Sequence, residues 1–293
     1  MIECCPLCEQ SRHRPRFVIK RYQLIECLQC GLVRLHPFPT PEELRVLYSG
    51  TYFKSESASE RGYLDYEGDH NNYLRTFRRR LKMIRDYLSA SDRILEVGCA
   101  LGFFLDTLRE AGFEHLTGID LSAYAIARAQ ARMGNQVELL AGNIGDLPSG
   151  RSFDVVFMWD VLEHIPNPIA ALNQVRVLLN PGGRLILETQ DVGSVMAQIN
   201  GRRWHMYKVP EHLYHFQPST IKMLLNKTGF QVVKITRRGA GKYLSGSFIV
   251  ERVGRYSPVL KYLVVPLEGS IRSIYVNLCD EMIVVAKVER AAE

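Results

Sequence analysis

From residue 92 onward the chain alternates between two hydrophobic periods. Short apolar runs at Arg93–Val97, Leu116–Ile119, Val137–Leu140, Asp154–Met158 and Arg184–Glu188 read as buried strands. Between them apolar residues recur three and four apart: Phe104, Leu108 and Ala111, then Ile126, Ala129 and Met133, then Ile169, Leu172, Val175 and Leu179. These are the stripes of amphipathic helices. Gly112 closes the first, Ser122 caps the second, and Asn180-Pro181-Gly182-Gly183 stops the third. Ser219 is expected to cap a fourth, carrying Ile221, Leu224 and Leu225, before Gln231–Thr236 and Met282–Val288 complete seven strands. This alternation predicts an α/β fold: a doubly wound, seven-stranded, mostly parallel sheet with helices on both faces. The core is expected over 91–293, with inserts at 191–215 and 239–280 where the alternation breaks.

The first ninety residues follow other rules. Over Asn72–Leu88 the stripe Leu74, Phe77, Leu81, Ile84 and Leu88 predicts a helix. Arg75, Arg78, Arg79, Lys82 and Arg85 fall mostly outside it and read as a solvated face, the sharper alternative being a phosphate-binding patch. Thr40-Pro41-Glu42-Glu43 is a capping box that opens a short helix with Leu44, Leu47 and Tyr48 on one face. Residues 51–90 are read as a linker or lid (Tyr52, Phe53, Tyr63, Tyr66) followed by the amphipathic helix. Residues 1–50 hold two matched pairs, Cys5-Pro6-Leu7-Cys8 and Cys27-Leu28-Gln29-Cys30, with short strands expected at Arg16–Lys20 and Tyr22–Glu26. Zinc takes four soft ligands in a tetrahedron, and two such turns close one site with Cys5, Cys8, Cys27 and Cys30. Gly31 supplies the positive φ of the second turn. So small a unit builds little core, and metal binding would supply most of its folding free energy, roughly 10–16 kcal/mol. The pattern resembles a zinc ribbon. A redox-active Cys-x-x-Cys is the rival, less suited to two matched pairs. Cys4 lacks the two-residue spacing to Cys8 that Cys5 has.

Composition bounds the rest. With 46% hydrophobic and 23% charged residues, the chain is neither disordered nor fibrous. The longest apolar candidate, Val259–Leu267, is interrupted by Lys261 and Pro266, so no membrane span is expected. No charged-then-apolar pattern opens the chain, which leads to the expectation of a cytoplasmic location. A net charge of +6 permits an anionic acceptor and argues against a nucleic-acid partner.

The chemistry gathers at the ends of the strands. Glu96-Val97-Gly98-Cys99-Ala100-Leu101-Gly102 links the first strand to a helix. It lacks the Gly-Lys-Ser/Thr ending of a phosphate loop, and Ala100 breaks the dinucleotide fingerprint. The second strand ends in Asp120, an acid placed to accept both hydroxyls of a ribose. Then follow Ala141–Pro148, Phe153–His164 and the Asn180–Gly183 turn. In this order and spacing the stretches resemble the class I S-adenosylmethionine-dependent methyltransferases, over 92–190 and again over 216–238. The resemblance implies S-adenosylmethionine as cofactor. It implies that Glu96, Gly98, Cys99, Ala100 and Gly102 hold the methionine portion, Asp120 the ribose, and Leu121 and Ile144 the adenine. Asn143 stands where the family usually has Asp, with a side-chain carbonyl still able to accept from the adenine amine. Trp159 and Asp160 would sit where the methionine end meets the acceptor. Ala100 replaces a common glycine, which is tolerated if its φ is negative.

A second resemblance lies in Lys208-Val209-Pro210-Glu211-His212-Leu213-Tyr214-His215-Phe216. It is similar to the Glu-His segment of methyltransferases acting on sugars and natural products; the nucleotide-sugar C-methyltransferases among them also begin with a zinc ribbon, but carry a further C-terminal domain not matched here. The resemblance implies His212 as general base, with Glu211 as its orienter or as a substrate ligand, and His164 as a second candidate or a structural residue. Trp204 and Tyr207 would wall the acceptor pocket. Neither the Asn-Pro-Pro-Tyr motif of amino-methylating enzymes nor a Pro-Cys pair follows the fourth strand, which favours O- or C-methylation. The expected acceptor is a small molecule: a sugar, glycolipid or secondary metabolite. An RNA methyltransferase and a non-catalytic module that binds a protein partner are the competing readings. The apolar, aromatic 239–280 insert is read as an acceptor cover, a lipid-tail site or a homodimer face.

Overall fold

The computed structural model describes residues 4–47, 69–256, 262–267 and 273–289. Tyr48, Tyr52, Phe53, Tyr63 and Tyr66, and with them the expected lid, lie outside the described residues.

Three antiparallel strands come first: β1 (His13–Ile19), β2 (Tyr22–Cys27) and β3 (Val33–His36). The third adds to the two strands that alternation predicts. Its Val33, Arg34 and Leu35 are all buried, so it shows no period of two to read. Helix α1 (Pro41–Leu47) opens with the expected box: Glu43 N–H donates to Thr40 Oγ1 at 3.2 Å, and Thr40 N–H to a Glu43 carboxylate oxygen at 2.9 Å. Helix α2 (His70–Ile84) buries Leu74, Phe77, Leu81 and Ile84, the stripe read from the sequence.

The core follows as β4 (Ile94–Val97), α3 (Phe103–Glu110), β5 (Leu116–Asp120), α4 (Ala123–Met133), β6 (Glu138–Ala141), β7 (Phe153–Trp159), α5 (Pro168–Leu178) and β8 (Leu179–Gln190). After α6 (Val195–Asn200) come β9 (Tyr214–His215), α7 (Pro218–Lys227), β10 (Phe230–Thr236), β11 (Lys242–Leu244), α8 (Gly246–Tyr256), β12 (Ile274–Val276) and β13 (Glu281–Val288). The main sheet has seven strands in the order β10-β13-β8-β7-β4-β5-β6. Strands β4 to β8 run parallel, and β13 runs antiparallel against both β8 and β10. The chain builds β5 and β6 on one side of β4, then returns to place β7 on the other. That reversal opens a crevice at the carboxyl ends of the central strands.

Two boundaries differ from the sequence reading. Helix α7 begins at Pro218 rather than after Ser219, because Gln217 and Thr220 form the capping box there. The Asn180–Gly183 turn is looped out of an otherwise continuous β8, where pairing jumps from Phe153 opposite Leu179 to Val155 opposite Arg184.

One face of the sheet is covered by α2, α3 and α4, the other by α5, α7 and the N-terminal strands. Those strands are joined to the core by backbone bonds as well as apolar packing. Strand β3 pairs with β9, Val33 opposite His215 and Arg34 opposite Tyr214, and Leu35 N–H donates to the Leu213 carbonyl at 2.8 Å. Lys227 on α7 donates to the Leu7 carbonyl at 3.2 Å and pairs with Glu9 at 2.7 Å. Among the described residues, no helix is long and apolar enough to cross a membrane.

Candidate active site

A cavity of about 1350 Å³ opens at the carboxyl ends of the central strands. Its first half is made by the loops after β4, β5 and β6. Gly98 (φ 71°) and Gly102 (φ 73°) turn the β4–α3 loop, and an added Cβ on Gly98 would collide with Val161 Cγ2. Ala100 lies at φ 48°, so the expectation of a negative φ is corrected: the position keeps the glycine-like backbone and its side chain is tolerated in the left-handed region at a cost of about 1–2 kcal/mol. That backbone aims the Ala100 N–H at Asp120 Oδ2 (2.8 Å), while Ser122 N–H donates to Oδ1 (2.8 Å). Each oxygen keeps a lone pair for a further donor. Burial raises Asp120 above the usual carboxylate range even so. Leu121 beside it is 66% exposed and lines the cavity.

Glu96 is buried beneath the loop with Oε2 unpartnered, and burial together with Asp120 pushes it well above its ordinary range. Burial likewise raises the Cys99 thiol, which removes it as a nucleophile. Asn143 caps a short turn: its Oδ1 accepts from Gly145 N–H at 2.8 Å, so the carbonyl expected to face adenine is already engaged once. Ile144 follows it, buried, on the cavity wall. Trp159 stacks on Phe157 (ring centroids 5.6 Å apart) and meets Phe104 edge-on, with its indole Nε1 unpartnered.

The second half is built from charge. Asp160, in the left-handed region at φ 53°, pairs with Lys242 Nζ at 3.1 Å; the same ammonium reaches Glu281 at 2.6 Å. Burial alone would raise Asp160, but Lys242, Arg80 and Lys208 outweigh it and hold the carboxyl below its usual range. Below them Arg80 of α2 forms an ion pair with Glu188 of β8, both buried. Burial nevertheless pushes Glu188 well up.

After Asp160 the chain makes one tight turn through Leu162, Glu163 and His164. His164 meets His212 edge-to-face, ring centroids 4.7 Å apart. Its Nδ1 donates to the Glu211 carbonyl at 3.0 Å. Burial and the Lys208 ammonium bring His164 down to about 4, and burial with His164 and Lys208 takes His212 well below its ordinary range. Both are neutral imidazoles at pH 7. Burial, with Asp160 nearby, pushes Glu163 up to about 8. The side chain of Glu211 does not line the cavity; what it offers His164 is its backbone carbonyl.

Trp204 and Tyr207 do not wall the cavity. Trp204 Nε1 donates to Asp280 at 2.8 Å, and Tyr207 packs between Phe17 and His215 (centroids 5.8 and 4.9 Å) against the N-terminal strands. Their neighbours His205, Met206 and Lys208 line it instead. Glu163, Arg80, Glu188, Lys242 and Glu281 were not legible as site residues. Glu163 alone carried a signal, its place beside His164.

In the N-terminal strands and their turns the four thiols converge. Cys5 and Cys30 Sγ are 3.5 Å apart, Cys8 and Cys27 Sγ 3.4 Å, and all four lie within 4.8 Å of one another. Glu9 (φ 64°) and Gly31 (φ 78°) take the same place after the two Cys-x-x-Cys turns. Burial opposes ionisation of Cys27, yet the N–H groups of Cys30 and Gln29 outweigh it and bring the thiol down to about 7.

Comparison with known proteins agrees with the crevice. A family profile described as a methyltransferase domain matches residues 66–235. The O-methyltransferase rstn1 of Aspergillus nomiae is 32% identical over 166 residues, 53% of this chain and 72% of that protein. A tRNA U34 carboxymethyltransferase of Pseudoalteromonas translucida is 32% identical over 152 residues, 48% of this chain; the chain spans only 45% of that relative's length. The crystal structure of a magnesium protoporphyrin IX methyltransferase from Synechocystis, with bound SAH, has a similar fold, with a TM-score of 0.50 and 17% identity over 78% of this chain and 90% of that one.

Proposed function

The chain belongs to the methyltransferase-domain family, with the class I S-adenosylmethionine-dependent core, and from that premise we propose that it methylates a hydroxyl oxygen or a carbon of a small acceptor: a sugar, glycolipid or secondary metabolite. The observation that carries this is the Ala100–Asp120–Ser122 clamp opening into a cavity whose far wall holds His164, Lys208 and His212.

The residues fit an adenosyl group. Asp120 keeps lone pairs for two ribose hydroxyls, and Leu121 offers an exposed apolar surface beside it, suited to a flat ring. Gly98, Ala100 and Gly102 let the backbone approach the methionine end. Bound there, S-adenosylmethionine supplies an electrophilic methyl on a sulfonium that departs as a neutral thioether. The protein's part is to align the acceptor and relieve it of its proton. His164 and His212 line the acceptor side as neutral imidazoles, with Lys208 beside them to stabilise developing negative charge. Cys5, Cys8, Cys27 and Cys30 fit a structural zinc ion, with convergent thiols and backbone N–H groups directed at sulfur. The seven free cysteines suit the reducing cytoplasm.

RNA is the second reading, favoured by the tRNA-modifying relative. Against it, Arg75 and Arg79 are laid over the rings of Tyr243 and Tyr275 (4.3 and 4.1 Å to the centroids) rather than lined up for phosphates. Labelled-methyl transfer from S-adenosylmethionine to sugar and metabolite acceptors and to bulk tRNA, with Asp120→Ala as control, decides. Transfer to a small acceptor that vanishes in the control is the expected result; transfer confined to tRNA overturns it.

A further inference from the structure

Glu163, His164 and His212 form a second donor set, unlike the four cysteines in both chemistry and surroundings. One donor atom from each lies within 4.8 Å of the other two. We propose that this cluster binds a divalent first-row cation at the acceptor end of the cavity, where the cation activates the acceptor hydroxyl. The activating role rests on the methyl-transfer reading above; the binding does not.

Two donors are buried without partners. Glu163 is 0% and His212 1% exposed, and neither Glu163 Oε1 nor His212 Nδ1 has a hydrogen-bond partner. Such groups ordinarily cost about 1–3 kcal/mol each, more for a charged one, so their persistence calls for a ligand. The donors are also held as metal ligands are held. His164 Nδ1 donates to the Glu211 carbonyl at 3.0 Å, which fixes the tautomer and leaves Nε2 as the basic nitrogen. The other Glu163 oxygen accepts from Thr189 Oγ1 at 3.1 Å.

Two imidazoles and one carboxylate make a three-ligand set of the catalytic kind, with coordination positions left over. His164 and His212 line the cavity, so those positions face the space an acceptor would fill. A hydroxyl oxygen placed there becomes more acidic, as water does when a metal lowers its pKa from about 15.7 to about 7. Its proton passes to solvent. The new O–C bond then forms as the C–S bond breaks, and the electron pair of that bond stays on sulfur. Lys208, on the same wall, faces the oxyanion from the protein side. An acceptor with a second oxygen beside the one methylated would chelate the cation, and such vicinal-oxygen compounds are the substrate class the cluster selects.

The test is titration of the full-length, EDTA-dialysed protein with Co²⁺, followed by visible absorption. Cobalt entering the cysteine site announces itself by thiolate charge-transfer bands, which a nitrogen–oxygen site lacks. The expected result is one additional equivalent per chain with d–d bands alone, weakened about 100-fold or more by Glu163→Gln and by His212→Gln. Their folding is checked by circular dichroism. No second equivalent in the wild type, or equal affinity in folded variants, overturns the proposal. Calorimetric uptake of S-adenosylmethionine by the same preparations reads the proposed function separately, since the donor loops share no residue with the cluster.

Discussion

The two halves of the cavity are made by different means. The donor half is backbone work. Two loops at the tips of adjacent parallel strands bring N–H groups of Ala100 and Ser122 to a single carboxylate, over a span of little more than twenty residues. The acceptor half is side-chain work. Arg80 from α2, Asp160 and Glu163 from beyond β7, Glu188 from β8, His212 from the 191–215 insert, Lys242 from β11 and Glu281 from β13 meet only in three dimensions. Removing the charged members of that set, Arg80, Asp160 and Lys242 among them, from water costs several kcal/mol per ion before pairing offsets it. Apolar residues of the same volume would hold the elements together at least as well, so the arrangement marks where chemistry, rather than packing, has set the residue types.

If that contrast is right, changes in the acceptor half lower stability, while changes in the donor half lower cofactor affinity. The largest effect is expected from Arg80→Met, which leaves Glu188 buried without its partner. About 3–5 kcal/mol of unfolding free energy should disappear in urea titrations, with S-adenosylmethionine affinity of the folded protein nearly unchanged. A loss below about 1 kcal/mol would erase the distinction. Next comes acid. Burial, with Arg16, brings His215 down to about 3. Between that value and the unfolded pKa near 6.5, the unfolded chain binds the proton and the native one does not, so this contribution to stability is present above about 6.5 and fades as pH falls toward 3. His164, at about 4, acts in the same direction, whereas Glu163, at about 8, favours the native state at low pH and withdraws that support as pH rises from about 4.5 to 8. Denaturant midpoints taken from pH 7 to pH 4 should fall by less in His215→Gln than in the wild type, and parallel curves would refute the assignment.

In the donor half, Asp120→Ala should weaken S-adenosylmethionine binding on the order of 100-fold by calorimetry, equivalent to about 2.7 kcal/mol, while its urea midpoint moves less than that of Arg80→Met. The smallest change sharpens the backbone claim. Ala100→Gly relieves about 1–2 kcal/mol of left-handed strain but frees the unfolded chain by about 0.4–1 kcal/mol, so a gain near 0.5 kcal/mol is expected. A clear loss would mean that the methyl group contributes packing the conformation alone does not disclose.

The same contrast explains what the sequence made legible. All seven strands of the main sheet fall where apolar runs place them; for β4, β7 and β8 the reason is that a parallel strand buried on both faces has few other ways to be written. The loops after β4 and β5 are contiguous, so Gly98 and Asp120, which line the cavity, stand at a readable distance from a strand end. Asn143 was located too, but not the bond that engages its carbonyl, since capping depends on how the turn closes. The acceptor half left almost no trace. Nothing local separates Lys242 from any surface lysine, and Arg80 sits in a run of basic residues whose neighbours cover tyrosine rings. Trp204 and Tyr207 lie in the 191–215 insert expected to wall the pocket, yet Trp204 turns to Asp280 and Tyr207 to the N-terminal strands, while His205, Met206 and Lys208 line the cavity.

The pairing of β3 with β9 ties two distant chemistries together. Leu35 holds the carbonyl of Leu213, the residue after His212, and β3 begins three residues past the last cysteine of the cluster. The thiol cluster is thereby a splint for the acceptor wall. Mild peroxide treatment that oxidises those sulfurs would let the splint slacken and silence turnover, while the nucleotide end of the pocket went on filling as before.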